Sequence, residues 1–453
     1  MIERYPCSKS YSAIRKRVGK IHIYLLVLLL AGCSVRSPYD RSYVSAGLNE
    51  RTDYQLGQAT EPSQFKLPEG ISLGNGLSED EAVAIALWNN AQFHADLTAL
   101  GFARADLIEA EMLKNPVFSL LFPLGPKVLE MTLNVPVDIL WQRPHRIAVA
   151  RLDAQKLAEN FIEHGLGLIR DVETNYADLW AAQEQVHLAK QQIQLSVQIA
   201  ELAQSQFRAG EISELSASDA HVDSLRANDV VKDFTEKAAV SQHRLNALLG
   251  LISEDVAYDI IPMEITSKKD LSIGELLKTS LAARPDLRAA ELAIESAGER
   301  LGWEKSKVYN FIAIIDAEDK GEDSLSVGPG FAVEIPIFNQ NKGKIARIKA
   351  ELEQAVRQYE AVRQKIIFQV RRAHTRYITA YEEYELWDSD IVPALETTLE
   401  RARKLLTAGE VSYSSVLKAE RKLIEAQIRR TELAANLRRT AAELNYCIGK
   451  KML

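Results

Sequence analysis

The chain has 453 residues, long enough for two or three ordinary domains, with 47% apolar and 26% charged residues and a net charge of −7. So high a charged fraction excludes a bundle of membrane helices. The slight acidity argues against a nucleic-acid binder, which needs a basic patch or stripe.

Residues 1–32 read as an export signal. Arg15, Lys16, Arg17 and Lys20 form a basic region, and Ile21 to Ala31 an apolar run too short to span a bilayer as a helix. The run ends Leu30-Ala31-Gly32-Cys33, which resembles the lipobox of bacterial lipoproteins. The resemblance implies cleavage before Cys33, diacylglycerol on its thiol and an acyl chain on its amine. Ser34 after it is similar to an outer-membrane address. Cys7 falls in the signal, so Cys447 is left as a lone thiol, and neither a disulfide framework nor a cysteine zinc site is expected. Residues 33–76 are rich in Ser, Gly, Pro and Tyr without periodicity, which predicts a lipid-anchored, extended tether.

A first unit is expected over 77–250. Ser78 and Glu81 form a capping box that opens a helix running to about Lys114, stopped by Asn115-Pro116. A β-hairpin follows at 117–140. Leu129, Met131, Leu133, Val135, Val137 and Ile139 alternate with mostly polar residues, the period of a strand with one apolar face. From about Arg143 to Arg208 helical pattern runs unbroken, which at ~1.5 Å per residue makes a helix of roughly 100 Å. A tip turn, Ala209-Gly210-Glu211-Ile212-Ser213, leads into a returning helix that ends at Leu249-Gly250. A Pro-containing linker occupies 251–270.

The pattern then repeats over 271–453. Leu271-Ser272 matches Leu77-Ser78, and Arg284-Pro285-Asp286-Leu287 falls where Asn90-Ala91-Gln92-Phe93 fell. A second β-hairpin is expected at 308–337, and a second long helix over about 343–407 with a kink or break at Pro393. A second tip turn lies at 408–412, Ala408-Gly409-Glu410-Val411-Ser412, and Ile448-Gly449 closes the chain as Leu249-Gly250 closed the first unit. The expected fold class is mainly α with short β-hairpins. A duplicated long-helix α-barrel carries a small β-barrel completed by oligomerisation, since isolated hairpins do not stand in water.

In this duplicated order the chain resembles the outer membrane efflux protein family, the TolC-like outer membrane factors. The likeness rests on Leu67-Pro68-Glu69-Gly70, Leu77-Ser78-Glu79-Asp80-Glu81-Ala82, the Pro-Val-Asp and Pro-Ile-Phe-Asn strand ends, the two Ala-Gly-Glu turns and the closing Leu/Ile-Gly pairs. The strand-to-helix segments from Leu133 and from Ile335 are similar to the heavy-metal branch. The resemblance implies a homotrimer with a twelve-stranded barrel in outer-membrane lipid, and a periplasmic α-barrel that meets a membrane-fusion adaptor and an inner-membrane pump of RND or ABC type. It further implies that the tips form the adaptor contact and gate, at Gly210, Glu211, Ser213, Asp219, Gly409, Glu410, Ser412, Ser415 and Lys418. Some relatives carry acidic residues where this chain has Ser415 and Lys418, so weaker cation selectivity than in those relatives is expected. Gly210 and Gly409 suit the left-handed residue after a helix end, and Ser213 and Ser412 suit caps of the returning helices. Trp141 and Trp303 flank the strands, suited either to a membrane interface or to packing at the α/β junction.

No catalytic constellation is legible: the histidines are scattered, and none pairs at helical spacing. No enzyme, metal site or cofactor beyond the lipid is therefore expected. Each hairpin is short against the ~9–11 residues of a spanning strand. A lipid-anchored periplasmic coiled-coil scaffold or duct, whose short hairpins do not span the outer membrane, thus stands beside the channel as a second reading.

Overall fold

Apolar residues at helical spacing, bounded by polar caps and glycines, dominate the chain, and helices dominate the computed structural model. It describes residues 37–58, 61, 64–122, 129–251, 258–263, 265, 269, 272–319 and 325–453. The lipobox cysteine Cys33, the rest of the signal and Leu271 lie outside the described residues. Tyr39–Leu453 form one unit.

The segment expected as an extended tether contains a helix, α1 (Arg41–Thr52). The Asp40 carboxylate accepts from the backbone N–H of Ser42 and Tyr43 (2.9 and 3.3 Å), and Asp53, at φ 65°, terminates it. Only Val44, Leu48 and Thr52 are buried, too sparse a stripe for periodicity to reveal. Close approach compensates. A Cβ on Gly47 would come within 2.4 Å of Ile162, and one on Gly165 within 2.8 Å of Leu48. Two glycines thus let α1 lie on the long helix that follows the first hairpin.

The helix expected from 78 to 114 is three: α2 (Glu79–Asn89), α3 (Ala91–Leu97) and α4 (Ala99–Glu111). The Ser78–Glu81 capping box forms as expected. Asn90 interrupts the run because its side chain has better partners outside a helix. Its Oδ1 accepts from Phe93 N–H (2.9 Å) and its Nδ2 donates to the Leu248 carbonyl (3.0 Å). After β1 (Val117–Leu121) and β2 (Leu129–Pro136) comes α5 (Ile139–Arg208), 70 residues without interruption, and then α6 (Glu214–Leu249). The linker is pinned where described: Leu77 and Ile260 form a parallel bridge, and the Tyr176 hydroxyl donates to the carbonyls of Leu77 and Ile261 (2.7 Å each).

The second half repeats the plan: α7 (Ile273–Ala283), α8 (Pro285–Ser306), β3 (Phe311–Asp319), β4 (Leu325–Val333) and α9 (Lys342–Glu385). A π-helical turn (Leu386–Ile391), α10 (Val392–Thr407) and α11 (Tyr413–Ile448) complete it. The break at Arg284-Pro285 matches the one at Asn90. Here Arg284 Nη1 donates to the Tyr446 carbonyl (3.1 Å), as Asn90 does to that of Leu248. Gly250 and Gly449, both left-handed, lie against the backbone at these two breaks. The duplication is therefore structural as well as sequential.

The four strands form one antiparallel sheet in the order β1-β2-β3-β4. Nearest the sheet, the helices pack in the order α4-α5-α8-α9; farther from it, in the order α6-α5-α11-α10. One core gathers around α1, α2 and α5 in the first half, and a second around α7, α9 and α11. A third, smaller one joins Leu188 and Leu195 of α5 to Leu417 and Ile424 of α11. Among the described residues no helix is long and apolar enough to cross a membrane.

Candidate functional site

The pairing register sorts the sheet into two faces, because residues directly opposite in an antiparallel pair point the same way. Phe118 pairs with Leu133, Leu133 with Ile315, and Ile315 with Pro329. The same face carries Leu120, Met131, Val327, Phe331 and Val333, and Phe331 is 78% exposed. The other face carries Ser119, Glu130, Thr132, Asn134, Asp316, Glu318 and Ser326, with Gly328 and Gly330, and also Val117, Leu121, Ile312 and Ile314, so it is polar chiefly in its middle and toward the β3–β4 turn. Thr132 Oγ1 donates to the Asp316 carboxylate across β2 and β3 (3.1 Å). One face suits hydrocarbon and the other an aqueous lumen, as in a membrane barrel. Among the described residues, the outermost strands, β1 and β4, each keep one backbone edge unpaired within the protomer.

Both expected membrane-flanking tryptophans sit where strand meets helix. Trp141, in the first turn of α5, donates from Nε1 to the Ser306 carbonyl (3.3 Å) and meets Phe311 edge-to-face at 5.6 Å. Trp303, in the last turn of α8, lies under the Lys307 ammonium, 3.8 Å from its ring centre. They pack at the α/β junction, an environment equally compatible with an interfacial belt.

At the tips, Gly210 (φ 77°) and Gly409 (φ 72°) take the left-handed conformation. Glu211 N–H donates to the Gln206 carbonyl and Glu410 N–H to that of Leu405, 2.9 Å each, the six-to-one bond of a Schellman motif. Ser213 accepts from Ser216 N–H (3.2 Å) and caps α6. Ser412 does not cap α11. Its hydroxyl is shared with those of Ser414 and Ser415 (2.8 and 3.0 Å), which takes it from the backbone. Glu211, Asp219, Glu410 and Lys418 are exposed, and among the described residues none joins an ion pair within one protomer. The tie between the hairpins lies behind the tips, where Arg421 of α11 meets Asp223 of α6 at 3.2 Å. Sequence reasoning did not single out that pair, since contact between α6 and α11 follows only from the packing order.

Two buried charge knots escaped sequence reasoning as well. Arg438 of α11 grips the Glu79 carboxylate (2.7–2.9 Å) and approaches Glu173 of α5 (3.6 Å). Arg284 holds Asp286 (2.6 Å) and Glu163 (3.4 Å), and the Tyr446 hydroxyl donates to Glu163 (2.7 Å). Burial pushes the Glu173 carboxyl up to about 7 against the pull of Arg438. Its proton is thus held by the folded chain at pH values where an unfolded chain releases it. The associated stability is present in full below about 4.5 and is lost as pH rises through 7. Glu173→Gln is expected to remove this dependence and to stabilise the protein relative to wild type at pH 8, by roughly 1–3 kcal/mol. Melting curves of both forms at pH 5 and pH 8 check it; a wild-type-to-variant difference that does not change with pH contradicts it.

Cys447 is buried, its thiol pushed up to about 12 by burial and by Glu443. It has no reactive character.

With the two-faced sheet and the long helical hairpins in view, comparison with known proteins decides the family. The family model described as outer membrane efflux protein matches residues 127–251 and 276–450, more than half of the chain. The chain belongs to the outer membrane efflux protein family. It is similar to the cobalt-zinc-cadmium resistance protein CzcC of Cupriavidus metallidurans, 23% identical over 83% of this chain and 90% of that protein. It is also similar to the probable outer membrane lipoprotein SilC of Salmonella typhimurium, 25% identical over 61% of this chain and 62% of that one. Among solved structures, CusC superposes with a TM-score of 0.65 at 19% identity, over 88% of this chain and 99% of that chain. The outer-membrane channel OprN superposes with 0.67 at 17%, over 91% and 94%. These establish the fold expected above. As a member of this family, the chain is the outer-membrane channel component of an efflux system and not an enzyme. The scaffold reading is set aside.

Proposed function

We propose that three copies of this chain close into one exit duct that carries metal cations across the outer membrane. The observation that carries the trimer is that the open edges lie in register with one another. β1 and β4 bound the sheet, α4 and α9 the helices nearest it, and α6 and α10 the helices toward the tips. The bounding helices expose large apolar side chains, among them Phe102 on α4, Phe368 on α9, Leu215 and Leu225 on α6, and Leu405 on α10. One β4-to-β1 seam, repeated three times, pairs every strand edge and covers these side chains. The tips then face a periplasmic adaptor and, through it, an inner-membrane pump that supplies the energy. Acylated Cys33 tethers each copy to outer-membrane lipid, an arrangement in keeping with a relative named as a lipoprotein.

Cation cargo is supported by relatives named for cobalt, zinc and cadmium resistance and for cation efflux, and by the carboxylates of Glu130, Asp316 and Glu318 on the polar face of the sheet. Tripling places nine carboxylates in the barrel, whereas Ser415 and Lys418 bring no acid to the tips. Cation preference is placed in the barrel, where the carboxylates share one side of the sheet, ahead of the exposed Glu211, Asp219 and Glu410 at the tips. In planar bilayers the trimer is expected to pass cations several-fold better than anions. Combined Glu130→Gln, Asp316→Asn and Glu318→Gln should abolish the preference, and Asp219→Ala should leave it. A preference lost with Asp219→Ala and kept in the triple variant overturns this placement.

A further inference from the structure

The apolar face of the sheet does not end with the strands. Glu334 N–H donates to the Asn310 carbonyl (3.2 Å), which carries the β3–β4 ladder one step further and sets Tyr309 beside Ile335 on the apolar side. Ile337 and Phe338 follow, both exposed, Phe338 to 99%. At the same boundary stand exposed Leu140 and, against Phe311, Trp141. Together they form an apolar band where the sheet gives way to the helices.

Next to this band the charge turns basic. Asn341 Nδ2 donates to the carbonyl and to the carboxylate of Glu304 (2.8 Å each), which ties the start of α9 to the end of α8. Lys305 and Lys342 each follow one of these two residues, so the tie sets them on neighbouring helix ends. Lys349 comes two turns after Lys342, on the same face of α9. All three lysines are exposed, and among the described residues none joins an ion pair. The acids at this level are already engaged. Glu304 serves Lys307 (2.5 Å) as well as Asn341, Glu334 accepts from Asn310 Nδ2 (2.8 Å), and buried Asp138 faces Lys114 at 3.8 Å. The far end of the sheet carries Glu130, Glu318 and Asp319 instead, and the whole chain is at −7. Composition therefore does not account for a basic group at the helical end.

The duplication shows which way the group faces. Val172 and Val370, buried on α5 and α9, are 198 residues apart, and at that separation Trp141 matches Asn339. Lys342 lies one turn beyond, on the flank that in α5 carries Trp141. Pro144 stands at the match of Lys342, so the group occurs once in each copy.

Exposed apolar side chains bordered by unpaired ammonium groups suit a lipid with a negative headgroup: lysine stems lie along the apolar surface and their ends reach the phosphate. We infer that Lys305, Lys342 and Lys349 hold the headgroup of an anionic phospholipid, whose acyl chains lie along Ile335, Ile337 and Phe338. The inference rests on the channel reading and adds to it a lipid of stated charge in the leaflet on the helical side. β4 and α9 also bound the protomer, so each lipid lies at the rim of a seam and steadies the trimer.

Native mass spectrometry tests this on the full-length trimer, incubated in detergent with equal amounts of phosphatidylglycerol and phosphatidylethanolamine. Phosphatidylglycerol is expected to stay bound, one per copy, with a preference of roughly tenfold. Lys305→Gln, Lys342→Gln and Lys349→Gln combined should abolish the preference and lower the temperature at which the trimer dissociates in phosphatidylglycerol bilayers. Phe338→Ser should reduce the amount of lipid retained and keep the preference. Lys190→Gln, which removes an exposed charge from α5 far toward the tips, should change neither. Equal retention of the two lipids by wild type, or a preference kept by the triple variant, overturns the headgroup site. Displacement of the bound lipid by excess glycerol 3-phosphate overturns it too, in favour of a site for soluble phosphate. Wild-type protein that appears only as a monomer overturns the trimer of the channel reading, and the ratio of the two lipids on that monomer still decides the site.

Discussion

Arg284→Met is expected to lower unfolding stability by about 3–5 kcal/mol, the cost of stripping a buried ion-pair network of its cation. The guanidinium is 1% exposed and serves Asp286, Glu163 and the Tyr446 carbonyl at once. It also faces the Tyr446 ring, 5.1 Å from the ring centre, while Arg170 faces the same ring at 4.4 Å. With Arg284 gone, Glu163 stays buried, its carboxyl already held above the usual range by burial, and the last turn of α11 loses the group that meets its carbonyl. Arg284→Lys should recover little, since one ammonium cannot span the same fork of acceptors. Asn90 fills the equivalent place in the first half with one neutral hydrogen bond to Leu248, so Asn90→Ala should cost only about 1–2 kcal/mol. Urea unfolding of the solubilised protein, followed by circular dichroism, measures all three. Equal losses for Arg284→Met and Asn90→Ala would show that the charges at Arg284 carry no special weight.

The second large effect concerns the membrane. Val327 and Ser326 are neighbours in β4 but point to opposite faces, because Val327 pairs with Ala317 on the apolar side and Ser326 with Glu318 on the polar side. Val327→Arg places a guanidinium against lipid, at a cost of roughly 2–4 kcal/mol near the bilayer midplane, three times per trimer. It should remove the protein from the outer-membrane fraction. Ser326→Arg sets the same charge in the lumen beside Glu318, and should leave insertion intact. Cell fractionation with quantitative blotting separates the two, and equal loss from both variants contradicts the assignment of faces.

Much of this was legible in the residues. The duplication, the alternation of Leu129 to Val135, the tip glycines and the family likeness all follow from local pattern, and local pattern is what a sequence displays. The rest depends on partners distant in the chain. Helix α1 was missed because three buried residues and two close-packed glycines leave no periodic trace. The break at Asn90 was missed because what rewards it, the Leu248 carbonyl, lies over 150 residues away. Ser412 was expected as a cap because of its type, yet neighbouring hydroxyls at Ser414 and Ser415 compete for it. The π turn was half visible: Val172 and Val370 are 198 residues apart but Gly210 and Gly409 are 199 apart, which records an inserted residue, and only the structure shows where the helix takes it up. At the candidate site, the tip turns were legible as geometry, whereas Arg421–Asp223 and the exposed seams required the packing order.

The central claim is that four strands per chain close into a spanning barrel only when three chains meet. Electron microscopy of the protein reconstituted in lipid nanodiscs tests it most directly. The account predicts three copies around one axis, β4 of each hydrogen-bonded to β1 of the next, with the Phe331 and Val327 face buried in the lipid disc and the helical tips outside it. Trimers whose sheets lie outside the lipid, or whose β1 and β4 edges stay unpaired, would contradict it.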